Sequence, residues 1–257
     1  MKRLYAIILI AFLVFSCSED NDDNISPIPT NANVSFNFTH NWDDTEINNT
    51  NLTSEIVTNE NGEVMSIARI RYLVSRLELS HSNGQSYLFD GYKFTDLSDD
   101  STYNFTPDNN TIPTGNYTLK FIWGFNEEDN VDGAYADLNS ASWNWPAMLG
   151  GGYHFLQFDG MYNVDTTAPS PFNYHNGTAR VSMGVFEQNF AEISLTTEIS
   201  ITNNTVIEVK MNIAEFFKNP NTWDLNVLDT PLMPNYMAQK MMQENVATVF
   251  SIGSVTQ

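Results

Sequence analysis

Imidazoles are the side chains of this 257-residue sequence best suited to hold a metal ion, and there are four: His40, His81, His154 and His175. Imidazole suits copper and its neighbours, thioethers add affinity for copper(I), and carboxylates and carbonyls suit calcium. His40 stands two residues before Trp42 in "HNW", which brings imidazole and an oxidisable indole together. His154 follows two tryptophans and three glycines in "SASWNWPAMLGGGYHFLQFDG", residues 140–160, and His175 lies in "YHNG". His81 opens the polar turn "SHSNGQ" and reads as an exposed turn residue. A bland reading stands beside each: His154 as a core histidine with one hydrogen bond, His40 as a strand-end histidine beside an aromatic.

Trp143 and Trp145, at i and i+2, share a side if the chain is extended there, and Pro146 then ends any ladder. Gly150, Gly151 and Gly152 permit backbone conformations closed to other residues, or close approach of another group. The segment is expected to bury two indoles at a corner of the fold, and that corner can also wall a pocket near His154 and His175. Met233, Met237 and Met241 recur every four residues, as an apolar stripe that docks a helix does; a thioether ladder is the alternative. The loop "NEEDNVDGAYADLN" offers Glu127, Glu128, Asp129, Asp132 and Asp137 for calcium but has no EF-hand spacing. Zinc-protease, nucleophile-elbow and nucleotide-binding motifs are missing, and no cysteine nucleophile is available, so a non-enzymatic protein is expected.

Period-two alternation of apolar residues supplies the framework. It places Val34, Phe36, Phe38 and His40 on one face, then Ile70, Tyr72 and Val74, with Leu77 and Leu79 following after a register change that reads as a bulge. Tyr117, Leu119, Phe121 and Trp123 form another such set, and His154, Leu156 and Phe158 another. "ARVSMGVF", "AEISLTTEISI" and "TVIEVKM" complete about eight strands separated by turn-formers. The pattern predicts an all-β, antiparallel sandwich with one or two short peripheral helices. One helix is predicted in "NIAEFFKNP", with Asn212 as N-cap and Glu215 at the reciprocal position; the other is the Met-rich C-terminal "PNYMAQKMMQENVATVF". The loop from Asn126 to Ala147 is long, as functional loops often are.

The first 17 residues read as a secretory signal, with Lys2 and Arg3 before a short apolar core. They end in "LVFSC", which resembles a lipobox and predicts acylation of Cys17, the sole cysteine. Residues 18–33 are acidic and Pro-ending, the composition of a solvated tether, and 34–257 form one domain. The expected address is the outer membrane, on its periplasmic side or at the cell surface, with the lipid bilayer as a partner through Cys17. Without Lys2 and Arg3, nine basic residues stand against 31 acidic ones, a net charge of −22. Such a chain repels phosphate backbones, so nucleic-acid binding is excluded.

Four ordered pieces, "IARIRYLVSRLEL", "IPTGNYTLKFIWGFN", "WNWPAMLGGGYHFLQFDG" and "FNYHNG", together with the Met-rich helix leading into "NVATVF", resemble the MbnP-like family of secreted and lipid-anchored copper-binding proteins. The resemblance implies a β-sandwich with histidine ligands for copper, and in some members an oxidised tryptophan, a kynurenine, that completes the site. It also implies a di-haem, cytochrome c peroxidase-like partner in those members. His175 matches the family histidine, and Trp143 with Trp145 the aromatic pair. Where some members carry Asn-His, this sequence reads Asn126-Glu127-Glu128. The expectation is therefore copper handling by His175 with one or both of His154 and His40, shielded by Trp143, Trp145 or Trp42. The alternatives are a metal-free surface module that grips a glycan or partner with Trp42, Trp143, Trp145 and Tyr153, and a calcium-stabilised scaffold.

Overall fold

The computed structural model describes residues 30–257; the signal segment, Cys17 and most of the tether lie outside them. Eight principal strands carry the fold: β1 (Asn31–Trp42), β2 (Val64–His81), β3 (Gly115–Trp123), β4 (Leu156–Tyr162), β5 (Ser170–Asn176), β6 (Ala191–Ile201), β7 (Thr205–Asn212) and β8 (Phe250–Thr256). One sheet is ordered β8-β7-β1 with short strands added to β1, and the other is ordered β5-β4-β2-β3-β6. The two layers enclose one large apolar core, as a β-sandwich must. β1 begins at Asn31, three residues inside the expected tether.

The alternation in the sequence translates into burial. Val34, Phe36, Phe38 and His40 of β1 are all buried, as are Tyr117, Leu119, Phe121 and Trp123 of β3. Tyr72 of β2 stacks on Trp123 at 5.7 Å between centroids, so the two longest hydrophobic runs meet at the centre. The expected bulge lies in β2, where the register against β3 shifts between Ser75 and Glu78. Arg76 at that point takes φ 51°, and its guanidinium is held by Asp129 and Glu128 of the long loop. One pair departs from the antiparallel plan. β1 runs parallel to β7, from Val34 opposite Thr205 to Asn41 opposite Asn212.

The helices are shorter than the sequence suggests. α1 (Ala136–Ser140) lies in the long loop, and α2 is Tyr236–Asn245. The segment Ile213–Phe217 is a 3₁₀ turn; Asn212 caps it by accepting from the Ala214 amide. Glu215 accepts from the Asn219 side chain instead of closing the capping box. The methionine stripe is also displaced. α2 buries Ala238, Gln239, Met242 and Asn245, while Met237 is 65 % exposed. A polar Gln and Asn occupy the core face because each meets buried backbone groups, which a count of apolar residues at helical spacing does not register.

The three glycines are required by geometry. Gly150, Gly151 and Gly152 have φ of 118°, 68° and 80°, and a Cβ at Gly152 would strike the Asn130 side chain, which accepts from the Tyr153 amide. Gly152→Ala should therefore cost about 1–3 kcal/mol, against a smaller loss for Gly62→Ala, whose Cβ would meet open space. Thermal melts of the two variants check this; equal shifts would mean that the Asn130 contact is immaterial.

Candidate metal centre

The outward face of the β2-β4-β5 strands carries a lattice of polar side chains in two rows. Arg71, Gln157 and His175 stand opposite one another across the three strands, and Arg69, Asp159 and Asn173 form the next row. Each strand contributes an i, i+2 pair, so the intervening residues Ile70, Phe158 and Tyr174 face the core. Asp159 is the hub. It accepts from Arg69 Nε at 2.7 Å, Asn173 Nδ2 at 2.6 Å and sits 2.7 Å from His175 Nε2. Arg71 reaches Gln157 Oε1 and the Ala141 carbonyl.

Over this lattice lies the tryptophan corner. The Arg71 guanidinium sits 5.3 Å from the Trp143 ring centroid, a cation–π contact of about 0.5–2 kcal/mol. Trp143 anchors a second, smaller core with Leu73, Phe125, Leu138 and Tyr153. Trp145 donates its indole N–H to the Leu149 carbonyl. Its ring fills the space a Cβ on Gly177 would need. Between the two indoles lies His154, 5.4 Å from Trp143 and 4.9 Å from Trp145. The His154 and His175 rings meet edge to face with centroids 5.4 Å apart.

His154 does not follow the alternation of β4. The strand begins at Leu156, and Phe155 and Leu156 are both in the main core. That local break turns His154 away from Leu156 and Phe158, with which it shares parity, and towards His175. Its amide donates to the Trp143 carbonyl, and the Phe155 amide to the Asn176 carbonyl, which fixes the bend.

Electrostatics keep the site ready for a cation ligand exchange without protons. Burial, with His175, Arg71 and Arg69 nearby, lowers His154 to about 3, so its imidazole is neutral at pH 7. Its Nδ1 is buried without a hydrogen-bond partner, as is Trp143 Nε1. Burial alone would raise Asp159, but the hydrogen bonds from His175, Asn173 and Arg69 outweigh it and hold the carboxyl at about 2. A carboxylate bonded to the second nitrogen of an imidazole is a common support for a metal-binding histidine. The residues present thus fit an imidazole-seeking metal, although no cluster of three or more His, Cys, Asp or Glu is arranged for one among the described residues.

Comparison with known proteins matches this architecture. The sequence profile of the MbnP family covers residues 31–238. The chain belongs to the MbnP family. A solved structure of MbnP from Methylosinus trichosporium superposes with a TM-score of 0.52 at 12 % identity, over 87 % of this chain and 99 % of that one, which shows the shared fold. No curated protein sequence matches the chain.

In this MbnP-family chain, His154, His175, Trp143 and Trp145 come together, and His40 and Trp42 do not join them. His40 points into the core, where its Nε2 lies 3.0 Å from the Tyr72 hydroxyl and its ring packs on Tyr103. Trp42 donates to the Thr58 carbonyl and packs on Phe217. His81 caps its own turn, accepting from the Asn83 amide. The aromatics of the glycan-gripping alternative cannot present a face, since Trp42, Trp143, Trp145 and Tyr153 are all buried. The acidic loop does not converge for calcium: Glu128 and Asp129 hold Arg76, and Asp137 accepts from the Tyr92 hydroxyl. Arg69, Arg71, Gln157, Asp159 and Asn173 were not singled out from the sequence. Their signal was a polar residue repeated at i, i+2 in three strands, "RIR", "QFD" and "NYH".

Burial also lowers His40 to about 3 in the folded chain, against 6.5 when unfolded. Between those values the unfolded chain binds the extra proton, so stability falls as pH falls through that window. For His40 alone the loss from pH 6.5 to 4.5 is about 2 kcal/mol. Denaturant titrations at the two pH values should show that loss reduced by about this amount in His40→Gln; an unchanged loss would mean that His40 is protonated in the fold.

Proposed function

We propose that this chain is a non-catalytic, lipid-anchored extracytoplasmic protein that binds copper between His154 and His175. The observation that carries the reading is the 5.4 Å separation of the two imidazoles at the tryptophan corner. Two imidazoles on one ion at bonds of about 2 Å, with an angle of about 110–120° between them, place their centroids about 5.1–5.5 Å apart. His154, neutral at pH 7, has no proton to shed before it binds a metal. The Asp159–His175 contact orients the second ring, and the indoles of Trp143 and Trp145 exclude water from the first. The signal segment and Cys17 supply the anchor, at the outer membrane. A di-haem, peroxidase-like protein is the partner that the resemblance adds, acting on the tryptophan corner.

The test is copper loading followed by competition with a copper(I) chelator. The parent should retain about one equivalent, His154→Ala and His175→Ala should each lose at least about tenfold in affinity, and His40→Ala should match the parent if it folds. A parent that retains no copper, or a His175→Ala variant that binds as tightly as the parent, would end the proposal.

A further inference from the structure

α2 reaches the candidate metal centre through a single buried side chain. Gln239 is fully buried, and most of its amide bonds go to the end of β5 and the residue after it. Its Nε2 donates to the His175 carbonyl at 2.7 Å and to the Leu232 carbonyl at 3.2 Å. Its Oε1 accepts from Asn176 Nδ2 and from the Gly177 amide, both at 3.2 Å. Three consecutive residues, 175–177, are thereby held by one amide. Two of them lead to the site, His175 through its imidazole and Gly177 under the Trp145 ring, while Asn176 accepts from the Trp123 indole and ties the strand end to the core. The helix backbone at Gln239 is seated in turn, since its carbonyl accepts from Asn189 Nδ2 at 3.0 Å.

We infer that Gln239 is a positioning residue, which fixes the His175 ring and the Trp145 wall from behind through the backbone of residues 175–177. The inference rests on the copper reading for its function but on the hydrogen bonds alone for its geometry. Leu and Met fit the same volume on a helix but can neither donate to the His175 carbonyl nor accept from the Gly177 amide. A β-strand end without that clamp has its last carbonyl and amide free to find other partners, and the imidazole moves with them. Asp159 sets the ring from the front and Gln239 from the back, so the ring has one orientation only while both contacts hold.

Imidazole nitrogen NMR of the metal-free protein, paired with copper(I) competition, tests this. Gln239→Met should move or broaden the His175 ring signals, leave those of His81 in place, and lower copper affinity about tenfold or more. Gln239→Leu also removes both the donor to His175 and the acceptor for Gly177 at similar volume, and should move the same signals. Asn245→Ala removes another buried amide of α2, bonded to Phe216 and Asn221 instead, and should leave the His175 ring unchanged. In the parent, the Gln239 side-chain protons should exchange slowly with solvent, a measurement that needs no variant. Folded Gln239 variants with parent-like His175 signals and affinity would overturn the inference, as would fast exchange of those protons. Ring signals that move in a protein that binds no copper would uphold the positioning role and sink the copper reading instead.

Discussion

Phe155 and Leu156 are neighbours in sequence, and both are buried in the same core. A regular strand sends neighbouring side chains to opposite faces, so this pair forces a break in the alternation at the start of β4. The proposed pairing of His154 with His175 depends on that break. Without it, His154 would share the inner face with Leu156 and Phe158, in a sealed aromatic interior with His40. With it, His154 lies on the outer face beside His175, under two indoles. The bend is held by backbone bonds on both sides, from Leu73 to Phe155 and from Phe155 to Asn176. The tri-glycine turn that precedes it delivers the chain at the required angle, and the left-handed φ values there are the conformational cost of reaching it.

The loop between residues 126 and 152 then becomes intelligible as a cover. It brings a small hydrophobic core of its own to the outer face, centred on Trp143 and Tyr153, and ties it down by hydrogen bonds among Asn130, Asn139, Tyr135 and Tyr153. The loop thereby covers the row of Arg71, Gln157 and His175, while Arg69 and Asn173 of the next row stay exposed. That cover buries His154 and leaves its imidazole in the neutral form. The packing and the chemistry have one cause, since the tryptophans that stabilise the loop are the groups that desolvate the histidine.

Much of the sandwich was legible because period two is a strong signal when one face is buried: the core residues of β1, β2 and β3, and the bulge before Leu77, fall where alternation puts them. The parallel pairing of β1 with β7 was not legible, since strand direction depends on which segments meet, which no local pattern encodes. The displaced face of α2 was missed for a related reason. Met233, Met237 and Met241 carry the right spacing, but the buried partners of Gln239 and Asn245 are far away in sequence and decide the helix rotation. At the candidate site, His175 and the tryptophan pair could be named from residues and resemblance. His40 could not be separated from His154, because the sequence gives each histidine only its parity, and parity fails at Phe155. The lattice of Arg69, Arg71, Gln157, Asp159 and Asn173 was hidden in plain alternation, where a polar residue facing outward looks like ordinary solvation.

The charges of that lattice bear on which ion it would hold. In a chain with 31 acidic residues, general acidity would favour any cation, yet the immediate surroundings of His154 are not acidic. Asp159 is matched by Arg69 at 2.5 Å, His154 is neutral, and Arg71 adds a positive charge on the face of Trp143. A hard divalent ion needs several anionic oxygens to replace its water, and this site offers one carboxylate that is already shared among three donors. Two imidazoles in an aromatic setting suit instead a metal that prefers nitrogen ligands to carboxylate oxygens. The balance of local charge and the shortage of oxygen ligands therefore disfavour calcium at this position, independent of the family to which the chain belongs.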